Sequence, residues 1–154
     1  MITTDMTYRQ TAVEGASGFG LLIALYDTLA SDLRSAAAAQ QVNDLEKRSA
    51  RVNHAFTVLG FLENWVEPGS GELADGLVMF YARLRRKMIE AQAKQSAKML
   101  EDLMTEALSI REVWQQLDTA TAASGPEILP PVRTQKFGGA FQRQVEQQQL
   151  SWSA

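Results

Sequence analysis

Leu22, Leu25, Leu29, Leu33 and Ala36 recur at steps of three and four residues, which places them on one face of a helix. The spacing predicts a helix over residues 19–40, with Ser17 as its natural N-cap. The alanines at 36–39 allow a neighbouring helix to approach closely. A second helix is predicted to open at Asn43, where Glu46 three residues on resembles a capping box, and to run to about residue 66, ahead of Pro68. A third begins near Glu72 and carries Leu73, Leu77, Phe80, Leu84, Met88 and Ala91. Leu100, Leu103, Ala107, Ile110, Trp114 and Leu117 form the stripe of a fourth. No strong breaker separates the last two stripes, yet on a 100° wheel they differ by roughly a third of a turn. The segment between them, 92–98, is polar, and Ser96 can cap a new helix, so a tight turn is predicted there. No stretch sustains period-two alternation, so no strand is predicted. Four helices with short connections give an all-α, antiparallel up-and-down four-helix bundle.

The second helix is wider than a bundle helix needs to be. Val52, Ala55, Phe56, Leu59 and Leu62 supply one apolar stripe, and Val58, Phe61 and Trp65 add a second line at steps of three and four. Two readings stay open: core at a helix–helix junction, or a groove for a partner's amphipathic segment. Met79, Met99 and Met104 add side chains that adapt to irregular partners.

From Thr119 the leucine periodicity gives way to alanine, threonine, serine, proline and glutamine, a composition suited to a flexible tail. Phe137, Phe141 and Val145 are nevertheless spaced by four, followed by Leu150 and Trp152. A short amphipathic helix over 137–152 that folds back onto a groove is one expectation for it.

Composition narrows the function. A chain of 154 residues is one domain with room for a substantial core. With no cysteine there is no disulfide framework, thiolate metal site or cysteine nucleophile. The one histidine, His54, has no catalytic partner motif nearby and no glutamate three residues before it, so it reads as a helix-surface or inter-helix residue rather than a catalyst or di-iron ligand. Gly15, Gly18 and Gly20 follow no strand, which removes a nucleotide loop. A net charge of -3 argues against nucleic-acid binding. The basic cluster Arg83, Arg85, Arg86 and Lys87 reads first as a solvated face, with Glu90 one turn after Arg86, and second as a protein contact. Residues 1–10 lack the apolar core of a secretory signal, and the apolar run 19–26 is too short to span a membrane. No enzyme, metal or cofactor is predicted; a binding module is.

Several short motifs, in order, resemble the flagellin export chaperones, the FliS family. Tyr8, Val13 and Ala16–Ser17 match its N-terminal segment, and Leu25–Tyr26–Asp27 its most recognisable tripeptide. Asn43 to Lys47 resembles the opening of its second helix, with Ala55, Val58, Leu59 and Leu62 at that helix's apolar positions. Phe80–Tyr81, Arg86 to Ile89 and Ala91–Gln92 fit its third helix, and Ile110 to Trp114 the end of its fourth. The resemblance covers about residues 8–118; Gly18 stands where the family usually has proline.

The resemblance implies a cytoplasmic helical bundle that binds the disordered C-terminal part of flagellin, prevents its premature polymerisation and helps deliver it to the flagellar export apparatus, with an export gate component as second partner. It divides the chain into an N-terminal cap segment (1–16), a bundle (17–118) and a tail (119–154). Together with the wide second helix it makes Tyr8, Val13, Leu25, Tyr26, Val58, Phe61, Leu62, Trp65, Tyr81 and Trp114 the expected client-binding residues. On that basis Phe61→Glu and Trp65→Glu weaken binding without unfolding the bundle. Leu25, Leu29, Leu59, Phe80, Leu103 and Ile110 are expected in the core, and Asp27 is expected to pair with Arg86. The competing reading is a regulatory or self-associating four-helix module.

Overall fold

A computed structural model describes residues 18–124. They form four helices: α1 (Gly18–Gln41), α2 (Leu45–Trp65), α3 (Glu72–Ala93) and α4 (Ala97–Ser124). Ser17, Tyr8, Val13 and the segment 125–154 lie outside the described residues.

The connections reverse the chain each time. Residues 42–44 turn through Asn43, whose φ of 57° is left-handed, and Asp44 caps α2 by accepting from the Lys47 backbone N–H at 3.1 Å. The cap is thus Asp44 rather than Asn43, because Asn43 is taken up in the left-handed turn that ends α1. Residues 94–96 turn through Gln95 (φ 50°), and the Ser96 hydroxyl accepts from the Met99 N–H at 3.1 Å, as the sequence predicts. The longer loop 66–71 ends at Gly71, whose φ of 145° only glycine adopts without strain. Its partner is Asp75, whose carboxylate accepts from the Gly69 N–H at 3.0 Å.

α1 packs closely on α2 and α4, and α3 closes the square more loosely against the same two neighbours. Ala30, Ala36, Ala37 and Ala39 are buried on α1, and such small side chains permit the close approach. Leu29, Leu33, Leu59, Leu62, Leu84, Met88 and Leu100 fill the centre with almost no exposure. Leu25 and Leu103 join them, but Phe80 and Ile110 are only half-buried and pack against the margin of the core. Both lie on the α3–α4 side, where the helices stand further apart.

Two other expectations are corrected. Asp27 pairs with Arg111 of α4 at 2.9 Å, not with Arg86, because α3 lies diagonally across the bundle from α1. α4 also runs to Ser124, several residues past the end of its apolar stripe. Thr119 and the alanines after it are compatible with helix, and the Thr119 hydroxyl folds back onto the Gln115 carbonyl at 3.0 Å.

Candidate docking groove

The residues expected to touch a client are mostly interior. Leu25, Tyr26, Val58, Leu62, Trp65, Tyr81 and Trp114 are buried, and Phe61 is half-buried. They do not form an open surface. The second line on α2 explains itself once its neighbours are known. His54, Val58, Phe61 and Trp65 follow at steps of four, three and four, so they share one flank of α2. His54 Nδ1 hydrogen-bonds the carboxylate of Asp32 on α1, with Arg51 4.0 Å from the same carboxylate. That flank therefore faces α1, and the apolar surplus is a helix–helix junction. At 4% exposure Trp65 belongs to the core, so Trp65→Glu would be a core lesion rather than a surface change.

Asp32 is also the one buried charged residue among the described ones, at 4% exposure. Its pairing with His54 makes the histidine an inter-helix fastening, since burying a carboxylate without such a partner is costly.

Tyr26 and Tyr81 meet across the diagonal of the bundle, hydroxyl to hydroxyl at 2.8 Å. Trp114 lies alongside, with its ring centroid 6.1 Å from that of Phe19. Burial pushes the Tyr26 hydroxyl up to about 12, despite the opposing effects of Tyr81 and of the nearby Trp114 indole. Burial, and then the Tyr26 hydroxyl, push Tyr81 higher still. In the unfolded chain tyrosine ionises near pH ~10. A folded-state pKa above that value means the stabilisation is intact below pH ~10 and is lost as pH rises toward 12. Urea unfolding across that range is expected to show stability falling with pH, and the double variant Tyr26→Phe with Tyr81→Phe to flatten the fall. At neutral pH, Tyr81→Phe alone is expected to cost about 1 kcal/mol, the net worth of the hydrogen bond.

The open surface lies elsewhere. Gly76, Met79, Phe80, Ala82, Arg83 and Arg86 line a groove of about 460 Å³ on the flank of α3. The floor is Phe80. The missing side chain at Gly76 leaves space beside it, and Met79 stands 74% exposed at the rim. The Arg83 guanidinium lies 5.6 Å from the centre of the Phe80 ring and reaches Glu106 of α4 at 3.0 Å, so this flank faces α4. Stepping from Glu106 by four, three and four reaches Ile110, Val113 and Leu117 on the same side of α4. Ile110 and Leu117 are half-buried and Val113 is 49% exposed. Every residue lining the groove belongs to α3, with Arg83 and Arg86 along it, while Ile110, Val113 and Leu117 lie on the side of α4 toward which Arg83 reaches. Arg86 has no salt bridge among the described residues, whereas Glu90 is paired with Lys94 at 2.7 Å. In the sequence Met79 and the arginines stand out only singly. The shared signal was the step pattern 76, 79, 80, 83, 86 along α3.

Among the described residues no group of acids and histidine could hold a metal ion, and no helix is long and apolar enough to cross a membrane. A helical bundle carrying an open apolar groove edged by arginines has the form of a protein-binding module. A profile of the family described as flagellar protein FliS matches residues 1–121, and the chain belongs to that family. FliS is a family of chaperones that serve flagellum biogenesis and export. No match to the chain was found among curated proteins.

Proposed function

We propose that this chain is a cytoplasmic export chaperone that binds the disordered C-terminal region of flagellin, prevents its premature polymerisation and aids its delivery to an export gate component. The observation that carries this reading is the open apolar groove on α3 within a bundle of the FliS family. A disordered client loses chain entropy when it orders on a bundle, and apolar contact must offset that loss. Met79, Phe80 and Val113 offer such contact without any rearrangement of the core. Arg83 and Arg86 suit a client segment that carries carboxylates beside its apolar anchors.

The buried members of the expected contact set, Leu25, Tyr26, Val58, Leu62, Trp65, Tyr81 and Trp114, act through the bundle core rather than by touching the client. Tyr8 and Val13 belong to a cap segment, residues 1–16, that shields the same bundle (17–118) and gives way to the client, which keeps binding reversible. The tail begins after Ser124, where α4 ends, rather than at Thr119. Isothermal titration of the full chain with a synthetic peptide of the cognate flagellin's C-terminal segment is the test. Saturable heat together with a gain in helical circular dichroism is expected. A folded chain that gives neither would reject the reading.

A further inference from the structure

We propose that the solvent face of α3 pairs antiparallel with the same face of a second copy of this chain, about a two-fold axis through Met79. The face consists of Glu72, Asp75, Gly76, Met79, Ala82, Arg83 and Arg86, all of them exposed. Their successive steps of 3, 1, 3, 3, 1 and 3 read the same from either end. At the helical period all seven fall within about a third of a turn.

The two halves of the face carry opposite charge. Glu72 and Asp75 stand seven and four residues before Met79, and Arg83 and Arg86 stand four and seven after it. Gly76 and Ala82 lie three residues to either side. Along two antiparallel helices the numbers of facing residues sum to a constant. With Met79 facing Met79, Glu72 faces Arg86, Asp75 faces Arg83 and Gly76 faces Ala82, and the two-fold axis makes each pair twice. Four ion pairs then flank an apolar centre where small side chains let the helices approach closely. A parallel pairing would set Glu72 on Glu72 and Arg86 on Arg86. A slip of one heptad that puts Met79 on Arg86 also puts Asp75 on Glu90. The charges therefore select one direction and one register.

The free chain leaves this face open. Met79 is 74% exposed, and a Cβ placed on Gly76 meets nothing within 4 Å. Neither Glu72 nor Arg86 makes a salt bridge among the described residues. Arg83 reaches Glu106, but an exposed pair of that kind is weak and readily shared. From Glu72 to Arg86 the face is about 21 Å long. One helix pair of that length buries less than a standard interface, so association is expected to be micromolar or weaker, with dilute chains monomeric. The pairing itself is independent of the flagellin reading. Its consequence rests on that reading: a second copy covers the groove beside Met79, and a client must displace it.

Sedimentation velocity of the full chain, without client, is the test. The parent is expected to pass from monomer to dimer as its concentration rises. Arg86→Glu alone and Glu72→Arg alone each bring two like-charged contacts into the dimer while breaking no salt bridge of the monomer, so each is expected to weaken dimerisation at least tenfold with an unchanged circular dichroism spectrum. An equimolar mixture of the two variants is expected to recover the dimer, because the reversed charges then face each other and all four pairs are again opposite. A parent that stays monomeric at its highest soluble concentration would overturn the proposal. So would a dimer that either single substitution leaves at parental strength, or a mixture that associates no better than its components. No client is present in these measurements, so their failure is separate from failure of the flagellin titration.

Discussion

Trp114→Ala is expected to destabilise the bundle by about 4 kcal/mol, the middle of the range for removing a buried tryptophan side chain. Trp114 is 2% exposed and heads the largest fully buried side chains of the described residues. Its ring packs against Phe19 at the start of α1, and its indole lies beside the Tyr26 hydroxyl. Removing it opens a cavity where α1 and α4 close one end of the bundle, and leaves Tyr26 leaning on Tyr81 alone. Helices anchored along their length by leucines cannot collapse into that space without unpacking their neighbours. A loss of this size corresponds to a fall of about 10 °C in the melting temperature for a domain of this length. Thermal unfolding followed by far-UV circular dichroism measures it, with exposed Met79→Ala as a control expected to stay within about 0.5 kcal/mol of the parent. A small change for Trp114→Ala would mean that the surroundings refill the space, contrary to a close-packed α1–α4 seam.

The contrast between Trp114 and Trp65 on one side and Met79 on the other shows what a sequence carries. The four helices were legible because a 3.6-residue period is local: the stripe Leu22, Leu25, Leu29, Leu33 identifies α1 without reference to any other part of the chain. Ser96 was legible for the same reason, as a polar residue with a helix N-terminus just behind it. The width of the apolar face of α2 was visible, but not its meaning. Val58 and Trp65 could be core or groove until Asp32 and His54 show that this flank faces α1. Burial of a flank is decided by which helices are neighbours and how closely they approach, and neither is local. The same limit hid the groove. Phe80 and Ile110 have the period of core residues, yet α3 and α4 stand far enough apart at that level to leave both half-exposed. Asp27 found Arg111 instead of Arg86 because square packing puts α4, and not α3, beside α1. The end of α4 was missed because alanine and threonine sustain a helix without marking a face.

If the α3 groove and the exposed Val113 of neighbouring α4 receive the client, Met79→Glu combined with Val113→Glu is expected to weaken binding of the flagellin peptide at least tenfold while leaving the fold intact. Both side chains are largely solvated in the free chain, at 74% and 49% exposure, so neither substitution places a charge in the core. The carboxylate at position 79 would also lie one turn before Arg83, a helix spacing that favours opposite charges by a few tenths of a kcal/mol. Thermal stability is therefore expected to stay within about 0.5 kcal/mol of the parent. In the complex the balance reverses. An apolar anchor that buries methionine gains about 2 kcal/mol from the transfer, and a carboxylate at the same place both forfeits that gain and resists desolvation. Tenfold in affinity needs only ~1.4 kcal/mol, so the predicted loss is a lower bound. Trp65→Glu makes the opposing case. It also removes binding, but through the core, so its melting temperature is expected to fall with it. Titration and thermal unfolding, run on both variants, separate a surface that touches the client from a core that holds the surface in place. A doubly substituted chain that melts like the parent and binds as tightly would remove this face of α3 and α4 as the client's site.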